Sequence, residues 1–247
     1  MKRLDGLVMK EKYSQINRFL LDVLDQQASN AEREELIGEV YDFLAVLDGV
    51  KLVFLHGRGH APVEWVEPVK KFACDLNLFV IEGFYWDATP YDKVPNWYQE
   101  HCRNQLLPFR AWYICKEAEI AGAIKKINSK GGRLSMAEEA YLLGYPECCV
   151  RAHYERACRY HRGTLSILRR LAKGDQNQMK ALAIGNAHLT PVTQQEIEDF
   201  DFAFKLHTPR VGSWNMCESC SSGAKPFSDD LVKKYLGVIE KAGLANC

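Results

Sequence analysis

The chain has 247 residues and balances 32 Lys plus Arg against 32 Asp plus Glu, so its formal net charge is zero. A content of 47% hydrophobic and 26% charged residues is ordinary for a globular protein. No apolar run approaches the roughly 20 residues a membrane-spanning helix needs, and the neutral balance gives the chain as a whole no electrostatic pull on nucleic acid or an anionic membrane.

The opening stretch MKRLDGLVMKEKYSQ is broken by Asp5, Lys10 and Glu11 before an apolar segment develops, so it does not read as a secretory signal and a cytoplasmic location is expected. Nine cysteines in a reducing compartment point to metal binding or thiol chemistry rather than to a disulfide framework.

Ile16, Phe19, Leu20, Val23 and Leu24 recur at helical spacing. After Ser29 and Asn30, the residues Leu36, Ile37, Val40, Phe43, Leu44 and Leu47 repeat the pattern, which predicts an N-terminal helical hairpin. The short β-prone run Lys51 to Leu55, a helix over Pro62 to Cys74 and a strand at Leu78 to Ile81 read as a βαβ unit. Tyr85 to Pro108, rich in Trp, Tyr, Pro and Asp, reads as a long ordered loop with one short helix around Trp97 to Asn104. Ala111 to Cys115 is a third strand, and a helix from about Glu117 to Asn128 stops at Gly131-Gly132.

From Ser135 the pattern turns helical. Ser135 with Glu138 makes a capping box, that helix ends near Gly144, and Pro146 opens the next. Lys173 to Gln178 marks an exposed joint, and Ser228 to Ala242 forms an amphipathic helix with Leu231, Val232, Tyr235, Leu236 and Ile239. The expected fold is α/β: a small, mainly parallel sheet with a βαβ unit, flanked by the N-terminal hairpin and a mostly helical C-terminal half. Residues 1–132 are expected to form the α/β domain and residues 133–247 a helical, Cys-rich region packed with it as one unit.

The sharpest chemical feature is Gly144-Tyr145-Pro146-Glu147-Cys148-Cys149. Proline favours the first helical position, which puts both thiols in the first turn, where free amides and the helix dipole favour thiolate. On the helix that follows, His153 lies four residues after Cys149 on the same side. The second feature is Cys217-Glu218-Ser219-Cys220, whose spacing turns both sulfurs toward one metal ion or permits a reversible disulfide. A tetrahedral zinc or cubane iron–sulfur site needs about four such ligands, so two remote half-sites converging on one centre is the economical reading. His153 or His207 could substitute for one of the four. Cys74, Cys115 and Cys158 read as small core residues, and Cys102 and Cys247 as incidental.

The LLGYPECCV segment (Leu142 to Val150), followed downstream by a His-x-Pro element and a cysteine pair, resembles the largely uncharacterised prokaryotic family marked by Gly-Tyr-Pro-x-Cys-Cys. The resemblance covers the second half of the chain and is specific mainly at that hexapeptide. It implicates Gly144, Tyr145, Pro146, Cys148 and Cys149, together with His207, Pro209, Cys217 and Cys220; in relatives a cysteine often follows the proline directly, where this chain has Arg210. The family implies no established reaction.

His56-Gly57-Arg58-Gly59-His60 directly follows the first strand, where ligands collect in open α/β sheets and glycines let the backbone approach an anion. Gly57, Arg58 and Gly59 are therefore candidate substrate-binding residues. Glu82, at the end of the second strand, could join His56 and His60 in acid–base work if the two strands are adjacent and parallel, with Asp87 beyond it. Arg151, Arg156, Arg159, Arg162, Arg169 and Arg170 make the helix after the cysteines basic, as a solvated face or as an anion or RNA surface.

The leading expectation is an enzyme acting on a small anionic or nucleotide-like substrate by redox or sulfur chemistry. Its cofactor would be an iron–sulfur cluster, [4Fe-4S] in preference to zinc, held by Cys148, Cys149, Cys217 and Cys220. The alternatives are a metal-independent thiol–disulfide oxidoreductase and a zinc-stapled module binding nucleic acid or protein.

Overall fold

Three short apolar runs pair into one sheet: β1 (Val53–His56), β2 (Phe79–Tyr85) and β3 (Phe109–Cys115). The computed structural model describes residues 30–56, 63–85, 94–105, 109–129, 135–185, 188–205, 214 and 216–243, with residues 15, 18, 19 and 22 before them. The strand order is β1-β3-β2, and both flanking strands run antiparallel to β3.

This corrects the expected sheet, which is antiparallel rather than mainly parallel. β1 and β2 do share a direction and are joined through helix α2 (Val63–Asp75), but β3 lies between them. The physical reason is burial. Ala111, Tyr113, Ile114 and Cys115 are all essentially inaccessible, so β3 is apolar on both faces and gains ladder partners on both edges only at the centre. β2 leaves Phe79 and Glu82 exposed, as suits an edge.

Pairing through β3 fixes the two faces. Leu55 and Ile81 both register with Tyr113, and Val53 with Cys115. These residues pack with Ile120, Ala121, Ile124 and Ile127 of α4 (Ala118–Ser129) and with Leu142 of α5 (Met136–Leu143). Phe54 and Ile114 face the other way, into a larger core built on α1 (Asn30–Leu47). Every residue of α1 from Asp42 to Val46 is buried, so this half of the helix is surrounded rather than laid along one stripe. Of the expected N-terminal hairpin, α1 is the second helix. Ile16, Leu20, Val23 and Leu24 lie outside the described residues, while Phe19 stacks on Phe72 of α2 at 4.8 Å.

The remaining elements are α3 (Asn96–Gln105), α6 (Glu147–Leu171), α7 (Gln176–Ile184), α8 (Gln194–Phe204), α9 (Glu218–Ser221) and α10 (Pro226–Lys241). Their ends follow the sequence. Ser135 and Glu138 form a reciprocal capping box, and Gly144 closes α5 at φ 69°, a left-handed position that glycine adopts without penalty. α6 runs for 25 residues, about 37 Å. Its first turn enters the α1 core through Cys149, while Leu168 near its far end packs with Tyr98, Cys102, Ala172 and Met179. The α1 core also takes Leu231, Val232, Tyr235, Val238 and Ile239 from α10, so it draws on both halves of the chain. Among the described residues, no helix is long and apolar enough to cross a membrane.

Candidate metal centre

The site begins where α5 stops. The left-handed Gly144 reverses the chain, and Pro146 sits at the N-cap of α6, one residue before the position expected for it. Cys148 and Cys149 still fall in the first turn, with the Cys149 amide bonded back to the Pro146 carbonyl at 2.8 Å. Trp214 and Met216, both inaccessible, anchor the approach to the second pair. Cys217 then caps α9, and Cys220 lies within it.

These two turns bring four sulfurs together. The Cys148 Sγ is 3.5 Å from that of Cys220 and 3.8 Å from that of Cys217, and all four sulfurs lie within 4.8 Å of one another. The Cys217 backbone amide donates to Cys149 Sγ at 3.3 Å. Cys149 and Cys220 are buried, whereas Cys148 and Cys217 are half-buried, and all four are free thiols. The group could hold a metal ion.

Electrostatics distinguish the four. Burial pushes the Cys149 thiol up to about 11, against hydrogen bonds from the Cys217 backbone and Cys220. Burial likewise drives Cys220 well above the ordinary thiol range, with Ser228 opposing. Burial acts on Cys217 in the same direction, yet hydrogen bonds from the Cys220 backbone and from the thiols of Cys220, Cys148 and Cys149 hold it below that range. Thiols packed this closely resist ionising together unless a cation sits among them.

Two groups around the sulfurs take places that the sequence reading did not give them. One is a buried network behind the hexapeptide: Lys51 donates to Asp42 at 2.7 Å and to the Tyr145 hydroxyl at 3.2 Å, while the Tyr235 hydroxyl donates to Asp42 at 2.7 Å. Tyr145 thus ties the cysteine turn to α1 and α10. The other is Arg156, which is only 7% exposed and whose Nη2 has no hydrogen-bond partner among the described residues. Burial lowers the pKa of its guanidinium, and the charges of Cys149 and Cys217 oppose that shift. Arg156 is seven residues from Cys149, two helical turns along the same side, so spacing alone could have placed it.

The other candidates scatter. His153 lies one turn past Cys149 with its ring against Tyr154, and it is not in the sulfur group. His207 and Pro209 fall outside the described residues, as do Gly57, Arg58, Gly59, His60, Asp87 and Cys247. His56 is fully buried beneath α1, its Nδ1 3.4 Å from Glu39 Oε2. Glu82 is exposed, and it and His56 register with the same Trp112 from opposite sides of β3. The two are therefore separated by two strand spacings, about 10 Å, and the adjacency that would pair them is absent. Cys115 and Cys102 are buried and Cys158 half-buried, but Cys74 is exposed on α2 rather than in the core.

The basic helix is largely neutralised within the chain. Arg162 Nε donates to Asp199 at 2.7 Å and Arg170 Nη2 to Glu196 at 3.1 Å. Arg151 bonds Glu147 at 2.8 Å, and Arg159 lies 3.6 Å from Glu155. No family model, curated protein or solved structure matches this chain.

Proposed function

We propose that Cys148, Cys149, Cys217 and Cys220 hold a single tetrahedral ion, zinc, and that its role is structural: it staples the start of α6 and the short α9 onto the core of α1 and α10. The sulfur packing carries this reading. Zinc bound at about 2.3 Å to each of four thiolates sets neighbouring sulfurs about 3.8 Å apart. Two of the sulfur pairs, Cys148–Cys220 and Cys148–Cys217, stand at 3.5 and 3.8 Å. A cubane cluster carries each thiolate on a different iron and needs a wider set than four sulfurs within 4.8 Å.

Four protein sulfurs fill the zinc shell and leave no position for water or substrate, the pattern of structural sites rather than catalytic ones. When bound, the ion supplies positive charge that lets buried thiols ionise. The chain's residues do the rest: the Cys217 amide steadies Cys149 Sγ, and Tyr145 fixes the turn against Asp42 and Lys51. A thiol–disulfide enzyme would have to use Cys217, the thiol held below the ordinary range, because burial holds Cys149 at about 11; it gives no reason for four sulfurs to share one group, and the metal reading does. Membership of the Gly-Tyr-Pro-x-Cys-Cys family is part of the same proposal and rests on the hexapeptide.

Elemental analysis of protein purified anaerobically tests the reading. The expected result is a colourless protein with one zinc per chain, lost in Cys149→Ser and Cys220→Ser. A brown protein carrying several irons would replace the ion with a cluster, and a metal-free one would end the proposal.

A further inference from the structure

Two features of α6 stand apart from the four sulfurs themselves. Arg156 is buried, yet its Nη2 has no acceptor among the described residues, and a buried guanidinium nitrogen without an acceptor is costly. The neighbouring arginines of the same helix differ in this respect: Arg162 and Arg170 each have a carboxylate partner. Arg156 stands seven residues after Cys149, two turns along the same side of α6, and the charges of Cys149 and Cys217 act on it. A divalent ion surrounded by four thiolates carries two negative charges in excess, and the Arg156 guanidinium can offset one of them.

We infer that Arg156 is the buried counter-ion of the four-cysteine centre, a positioning residue outside the ligand shell that favours the fully ionised, metal-loaded form. The inference rests on the four-thiolate reading above. It makes the near end of α6 a matched set: neutral thiols leave the guanidinium without an anion, and the loaded centre provides one. Arg156 therefore raises metal affinity while destabilising the unloaded fold, two effects of opposite sign from one side chain. A residue that merely packs would change the stability of both forms in the same direction.

The test uses the full chain with zinc alone as the ligand, at one fixed pH, competing against a chromophoric chelator under reducing conditions. Arg156→Met keeps much of the apolar stem and removes the charge, and it is expected to weaken zinc binding by about 10-fold or more, the usual consequence of losing a group that supports metal ligands. Arg156→Lys restores most of the affinity, and Arg169→Met, at an exposed position of the same helix, leaves it unchanged. Thermal melting supplies the second readout: Arg156→Met lowers the melting temperature of the zinc-loaded chain but leaves that of the chelated chain equal or higher. If Arg156→Met does not fold, Arg156→Gln against Arg156→Lys decides the same question by affinity. Zinc affinity of Arg156→Met or Arg156→Gln equal to the parent, or equal losses of melting temperature in both forms, overturns the inference. Failure of the parent chain to bind zinc overturns instead the reading of the centre itself.

Discussion

The two ends of α6 solve the same problem, buried charge, in opposite ways. At the far end each buried carboxylate has its own cations and donors. Glu196, almost inaccessible, receives Arg170, Ser166 and the amides of Val192 and Thr193; burial alone would raise its pKa, and these hydrogen bonds bring it down to about 2. Arg162 holds Asp199 below the carboxylate range, against burial and with further help from Arg159. At the near end there are four thiols and a guanidinium with an unsatisfied nitrogen. One end is complete within the polypeptide, and in the proposed reading the other takes charge from outside it.

The largest effect that separates them is metal removal. Chelation, or Cys149→Ser, is expected to lower the melting temperature by about 10 °C or more, since structural zinc contributes folding free energy directly. An unchanged melt would show the near end to be as self-sufficient as the far one. Asp42→Ala comes next. It strands Lys51, whose side chain is 2% exposed, and is expected to cost about 3–5 kcal/mol in urea unfolding, because breaking a buried pair leaves an uncompensated charge. A loss below about 1 kcal/mol would mean that Tyr145 and relaxation suffice for Lys51.

Acid probes the far end. The Glu196 pKa is depressed from 4.5 to about 2, so between those values the unfolded chain binds more protons than the folded one. The stabilisation is therefore full above about pH 4.5 and lost as pH falls toward 2, amounting to about 3 kcal/mol at most for this group. Urea midpoints against pH on the Cys149→Ser chain isolate it from metal loss, and Glu196→Gln should flatten the profile. The smallest change is Gly163→Ala. An added Cβ would meet the Phe200 ring at 2.6 Å where α6 crosses α8, an overpacking expected to cost about 1–3 kcal/mol. Zinc content should not change; if it falls, the two ends are coupled.

Much of this organisation was legible in the residues. Helix ends were readable because their signals are local: the Ser135 and Glu138 box, Gly144 after α5 and Pro146 before α6 all act within one turn. The Thr193 and Glu196 box carries the same signature. Convergence of the two cysteine pairs was inferable from ligand arithmetic. The strand order was not, because β-prone runs show which segments are buried but not which lie side by side, and β3 enters between two strands that precede it. The partners of the arginines were hidden for a similar reason. Their run looks like a basic surface until Glu196 and Asp199, far along the chain, fold back against it. His56, expected to open the loop after the strand, is instead the last residue of β1, and α1 lies over it.

Cys149 and Cys217 stand 68 positions apart, and the excursion between them contains α6, α7 and α8. A bound ion would close that excursion into a ring, and by polymer statistics a cross-link of this span restricts the unfolded chain by about 4 kcal/mol. It would also make the ring tolerant of a cut. The exposed turn at Lys173 and Gly174 lies inside it, so a protease nicking there would leave two fragments clasped by the same four sulfurs, and they would part only when the clasp is drawn out.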